Sequence, residues 1–179
     1  MILSDTTLHA MTGLVTPWQP RAVGPCSYDL HLGHRLLRLP YSVTLDPERD
    51  QSDLWQEEPL REDGRWMLGA RELYLGATLE VVDVPDAMVA MLHGISSLGR
   101  LGLVVHCTAG LVDAGWNDAQ LTLEIVSLGG PIFLRPGMRI GQLTFHMLDE
   151  MATAPYSGRY AGDHGVQPSR SYLDREPKR

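Results

Sequence analysis

The feature that most constrains this chain is a period of two. Tyr28, Leu30 and Leu32 alternate with Asp29 and His31, Leu121, Leu123 and Ile125 with Thr122, Glu124 and Val126, and Leu143, Phe145 and Met147 with Gln142, Thr144 and His146. Successive side chains on a strand point to opposite faces, so each run can bury one face and offer the other to solvent or to a cleft. A fourth run, Leu79, Val81 and Asp83 against Glu80, Val82 and Val84, stops at Pro85, and Arg135, Pro136 and Gly137 form a turn signal. Short strands punctuated by Gly and Pro specify an all-β sandwich, barrel or jelly roll rather than an α/β fold. Helix is expected only near the N-terminus, where Ser4 and Asp5 precede a segment ending at Gly13.

A chain of 179 residues fits one domain, expected over 1–155. Residues 156–179 lose apolar periodicity and read as a flexible tail. No apolar run approaches the ~20 residues of a membrane span, and no leader is evident, so a soluble, cytoplasmic protein is expected. The formal charge of −7 disfavours a partner that is a nucleic-acid polymer. Eight acidic and three basic residues lie between Asp46 and Arg65, which reads as a solvated surface loop and leaves the remainder nearly neutral. Cys26 and Cys107 are expected as buried or semi-buried thiols rather than a disulfide.

Chemistry gathers between Gly94 and Glu124. Glu124 is a lone carboxylate on an apolar strand: it either decorates a half-exposed surface or faces a cleft, where it can move a proton. Ser96 and Ser97, close to Gly99 and Arg100, offer hydroxyls, main-chain N–H groups and a planar cationic fork to phosphate oxygens. In HCTAG, small residues around Thr108 and Ala109 let the main chain approach a base edge. Asp113 suits a sugar hydroxyl or a turn cap equally, and Trp116 suits packing or stacking.

Taken in order, GISSLGRLGLVVHCTAGLVDAGWNDAQLTLE resembles the active-site core of the dCTP deaminase branch of the dUTPase superfamily, which reads close to GRSSLxRLGLxxHxTAxxIDPGxxGxxTLE. The resemblance continues at GPCSYDLHLG, LGATLEVVDVP, LRPGMRIGQLTF and the tail PYSGRYAGDHGVQPSRSY, and misses only the acidic stretch. It implies a distorted β jelly roll of the dUTPase type, assembled as a homotrimer with sites where subunits meet. The implied reaction is zinc-independent hydrolytic deamination of dCTP to dUTP and ammonia; the zinc-deaminase pattern H-x-E followed by P-C-x-x-C is absent from the sequence. Magnesium would arrive on the triphosphate oxygens.

By the same resemblance Glu124 shuttles protons, Ser96 and the main chain near Thr108 and Ala109 hold water and base, and Arg100 stabilises negative charge. Ser97 and Gly99 serve the phosphates, while Asp113 and the tail residues Tyr156, Arg159, Tyr160 and Gln167 are further substrate-binding candidates. Two alternatives stand beside this: a bifunctional dCTP deaminase and dUTP diphosphatase giving dUMP, and a non-catalytic regulatory protein that binds nucleotide on the same scaffold. The chain departs from the pattern at Ile95, where arginine is usual, and at Ser127, Arg159 and Asp163, in place of asparagine, lysine and an amide.

Overall fold

The computed structural model describes residues 1–174; the last five residues of the expected tail, 175–179, lie outside the described residues. The elements in chain order are α1 (Asp5–Ala10), β1 (Val15–Thr16), β2 (Tyr28–Arg38), β3 (Gln56–Glu57), β4 (Trp66–Leu68), β5 (Leu73–Val82), β6 (Met88–Gly94), α2 (Ser96–Gly99), β7 (Leu103–Val104), β8 (Leu111–Val112), β9 (Ala119–Ser127), β10 (Ile132–Leu134) and β11 (Arg139–Met147), with three short 3-10 turns between them and one, Ser171–Leu173, after β11. The mainly-β expectation holds. A nine-stranded antiparallel sheet runs β7-β9-β5-β2-β11-β6-β8, with β1 on β5 and β3 on β2, while β10 and β4 form a separate pair.

β2 joins two halves of the curled sheet. Its first residues pair with β11, Asp29 opposite Gln142, whereas its later residues pair with β5, Leu36 opposite Gly76. The register shifts between Leu32 and Leu36, and Gly33 sits at that shift. A Cβ there would come within 2.9 Å of the Ala77 carbonyl oxygen, so only glycine lets the two strands close at the bend.

The alternation on β9 is strict: Leu121, Leu123 and Ile125 are buried and Gln120, Thr122, Glu124 and Val126 are half-buried on the other face. β11 behaves likewise, with Leu143 and Phe145 in the core, although Met147 is exposed at the strand end. β5 inverts the hydrophobic expectation, for its buried positions here are Glu80 and Val82, with Leu79 and Val81 half-buried. Glu80 is only 1% exposed, yet fully engaged: its carboxylate accepts the His31 N–H at 2.9 Å and meets His31 Nδ1 at 2.6 Å. Those bonds replace the lost hydration that would otherwise forbid a buried carboxylate.

Two local expectations are corrected. α1 is capped by Ser4, whose hydroxyl accepts the Thr7 N–H, but it ends at Ala10 rather than Gly13. The backbone of Met11 (φ −116°, ψ 53°) leaves the helical region, and Thr12–Leu14, led by two weak helix formers, tightens into a 3-10 turn. Cys26 and Cys107 are free, as expected, but both are exposed rather than buried, since each lies in a segment between strands.

The acidic stretch is largely surface, yet it is tied to the sheet. Arg35 and Arg38 on β2 meet Glu57 at 3.0 Å and Glu58 at 3.2 Å, and the Trp66 indole donates to the Glu58 carbonyl at 3.0 Å. Its Trp55 is half-buried against Leu37, Leu75, Ala77 and Val166. Val166 belongs to the C-terminal segment, which lies along the outward face of β9. There Gly165 N–H donates to Gln120 Oε1 at 2.6 Å and Gln167 N–H to Thr122 Oγ1 at 3.1 Å.

Candidate active site

Glu124 faces a cleft. β9 places it directly opposite Leu75 of β5, with Leu123 and Ile125 buried on the other side of the strand. The Cys107 N–H, midway along the short β7–β8 connection, donates to Glu124 Oε2 at 2.8 Å. This bond fixes one carboxylate oxygen, and the half-buried side chain opens onto a cavity of about 460 Å3. Partial desolvation by the surrounding segment, although Cys107 is exposed, and then the Glu124 charge push its thiol above the ordinary value, so it stays protonated beside the carboxylate.

Of the residues singled out in the sequence, Glu124, Ala109, Asp113, Tyr156, Tyr160 and Gln167 line this one cleft. Its floor is apolar, from Leu73, Leu75, Leu92 and Leu121, and Trp116 forms part of the wall. Trp116 packs against Tyr156 with ring centroids 5.3 Å apart, and its Nε1 is buried without a partner among the described residues. Burial raises the Tyr156 phenol above its ordinary value, against the opposing pull of the Tyr160 N–H, so it remains a donor near neutrality.

A second cleft, of about 540 Å3, collects Ser96, Ser97 and Gly99 with Gly94, Ile95, Arg139 and Gln142. No residue lines both clefts. The tight α2 turn, held by Gly99 N–H to Ile95 C=O and Arg100 N–H to Ser96 C=O, both at 3.0 Å, exposes the two hydroxyls. Ile95 is 7% exposed and packed in the main core, so the position where a cation was expected serves packing instead. Arg139 is the cationic side chain lining this cleft. It is half-exposed and held at 2.7 Å by Asp29 on the neighbouring strand.

Three candidates line neither cleft: Arg100, Thr108 and Arg159. Arg100 and Thr108 are exposed. Arg159 pairs with the Asp174 carboxylate and the Leu173 carbonyl, away from both clefts. Asp163 is likewise neutralised, by Arg170 at 2.7 Å. Ser127, fully buried, donates from its hydroxyl to the Gly130 carbonyl and so closes the β9–β10 turn.

Several cleft residues escaped the sequence reading, Thr122, Gln142, Arg139 and Trp55 among them. Thr122 and Gln142 lie on the same outward rows as Glu124 and His146, so the alternation that selected Glu124 could have selected them. Arg139 and Trp55 carried no such signal, because what places them is tertiary pairing: Arg139 opposite His31, and Trp55 against a tail valine.

A family model described as dCTP deaminase-like matches residues 2–148. A dCTP deaminase of Haloarcula marismortui is 42% identical over 163 residues, covering 86% of this chain and 83% of that protein. A dCTP deaminase, dUMP-forming, of Bifidobacterium adolescentis is 37% identical over 186 residues, covering 97% and 96%. The crystal structure of 2'-deoxycytidine 5'-triphosphate deaminase from Agrobacterium tumefaciens superimposes with a TM-score of 0.66 at 25% identity, over 82% of this chain and 47% of that one.

Proposed function

The chain belongs to the dCTP deaminase-like family, and from that premise we propose that it is an enzyme that hydrolytically deaminates dCTP, releasing ammonia, with Glu124 as its proton shuttle. The observation that carries the reading is the posture of Glu124: one oxygen anchored by the Cys107 N–H, the side chain turned into a cleft of nucleotide size with an apolar floor. A carboxylate so held takes a proton from water as the water oxygen bonds to C4 of cytosine. It then returns a proton as the C4–N4 bond breaks and ammonia leaves. Asp113, Tyr156, Tyr160, Gln167 and the backbone at Ala109 surround the same space and are the candidates for sugar and base contacts.

The two clefts divide the labour. Ser96, Ser97 and Gln142 offer hydroxyl and amide donors and Arg139 a cation, a set suited to phosphate oxygens, whereas the Glu124 cleft suits a base. Because they are separate in one chain, the reading requires a second copy to bring its Ser96–Arg139 cleft to the first copy's Glu124, as in the homotrimer expected from the sequence. Arg100, exposed and lining neither cleft, would then contribute at the junction. The nucleotide would bring magnesium on its phosphate oxygens, and cytoplasmic deoxynucleotide pools would supply it.

A second reading, favoured by the 37% identity to dUMP-forming relatives over nearly the whole chain, carries the reaction on to dUMP and diphosphate. Incubation with dCTP and magnesium, with ammonia and nucleotide products followed together, tests both. Ammonia with dUTP supports deamination alone, and ammonia with dUMP and diphosphate supports the second reading. Absence of ammonia release from the assembled protein overturns both.

A further inference from the structure

The acidic stretch is the part of the chain for which the catalytic reading has no use, yet it reaches the catalytic cleft. Its Trp55, with Leu45 just ahead of the stretch, forms part of the wall that Glu124 opens onto. Trp55 also packs in a small apolar cluster with Leu37, Leu75 and Ala77 of the sheet and Val166 of the C-terminal segment. Val166 is only 7% exposed although the polypeptide around it is largely surface. A second tie lies nearby: the Ser171 hydroxyl donates to the Pro47 carbonyl at 2.8 Å, so the same stretch holds the C-terminal segment at two points.

We propose that Trp55 is a positioning residue for nucleotide binding: the acidic stretch acts as a latch that seats Val166 and thereby fixes Gln167 and Tyr160 at the mouth of the Glu124 cleft. The inference rests on the catalytic reading for its substrate but not for its mechanics. Gln167 follows Val166 directly, and its N–H is bound to Thr122 Oγ1, two residues from Glu124 on the same strand face. Tyr160 is tied in through its hydroxyl, which accepts the Arg170 N–H at 2.8 Å. The tail has few other apolar anchors: Val166 is its one residue in a buried cluster among the described residues. Without the indole, the segment is left to polar contacts, namely the Gly165 and Gln167 amides on Gln120 and Thr122, the Gln120 N–H on the Asp163 carbonyl at 2.9 Å and His164 beside Asp118 at 3.3 Å, all of which compete with water and hold a surface segment weakly. The clustered negative charge keeps the outer side of the stretch hydrated, so that its single tryptophan faces inward.

The test uses the full chain with Trp55→Ala, Trp55→Phe and, from the other side of the contact, Val166→Ala. KM and kcat for dCTP are measured alongside hydrogen exchange of the free protein. The latch predicts that Trp55→Ala raises KM by about tenfold with a smaller change in kcat. Exchange should accelerate at Gly165 and Gln167 while β9 amides stay protected, and Trp55→Phe should restore most of both. Should Trp55→Ala fail to fold, Val166→Ala carries the same two expectations. Wild-type exchange at Gly165 and Gln167 in the alanine variants overturns the proposal, as does acceleration spread equally over β9, which is the mark of a merely structural cluster. If the wild-type protein releases no ammonia from dCTP, the catalytic reading falls and the exchange measurement still decides the latch.

Discussion

Replacing Glu124 by glutamine separates chemistry from architecture, because the structure gives the side chain one bond that an amide can keep. Glu124 Oε2 accepts the Cys107 N–H at 2.8 Å, and the glutamine carbonyl can accept the same proton. What changes is the strength of that bond, from charge-assisted at about 1.5–3 kcal/mol to neutral at about 0.5–1.5 kcal/mol, a loss of about 1 kcal/mol. Cys107 is exposed, so water is at hand for its N–H and no buried donor is stranded. For a domain of this size 1 kcal/mol lowers Tm by about 2–4 °C. The proposed proton shuttle, by contrast, disappears, which costs about 10²–10⁴-fold in rate. Glu124→Gln should therefore melt within a few degrees of wild type, bind dCTP, and release ammonia at least a hundredfold more slowly. Steady-state ammonia release and thermal melting of the same preparation check both halves. Turnover within threefold of wild type would refute the assignment, and a collapse in Tm would refute the claim that the Cys107 bond is locally replaceable.

Further outcomes follow from other contacts. Arg139→Gln removes a cation from the Ser96–Ser97 cleft, so dCTP affinity measured by calorimetry should drop by about ten- to a hundredfold while dCMP affinity changes far less; equal losses for both would deny it a phosphate role. Glu80→Ala leaves the half-buried His31 N–H and imidazole without their acceptor, and a cost of about 2 kcal/mol should lower Tm by roughly 4–8 °C, read by calorimetry. His93 is held below its ordinary value of 6.5, first by burial and then by His106 and His146. The folded protein thus resists a proton that the unfolded chain accepts: the site's contribution is complete above about pH 6.5 and is lost as pH falls from there through the lower folded value. His93→Gln should flatten the fall in Tm between pH 7 and 5.

The β9 and β11 strands and the face on which Glu124 lies were legible because burial alternates strictly along β9 and from Gly141 to His146 on β11, a one-dimensional signal. β5 was legible as a strand but not in its chemistry. Glu80 is buried only because His31, 49 residues away, supplies two donors, and no local pattern announces a partner at that distance. The site was half legible for a similar reason. Ser96 and Glu124 are close in sequence, which invites a single pocket, yet α2 hangs at the end of β6 beside β11 while β9 pairs with β5, on the other side of β2. Ile95 illustrates the limit further: its departure from the expected arginine was plain, but that the side chain turns into the core and Arg139 stands in the cleft depends on which strand neighbours which.

Gln120, Thr122 and Glu124 occupy every second place on one strand, and each is already spoken for: two by amides of the C-terminal segment, the third by Cys107. The strand thus works as a ruler. Insertion or removal of one residue between Ala119 and Ser127 would rotate whatever lies beyond it by half a turn, sending the carboxylate into oil and leucines into water. The count of residues along β9 is therefore fixed by the sheet it belongs to.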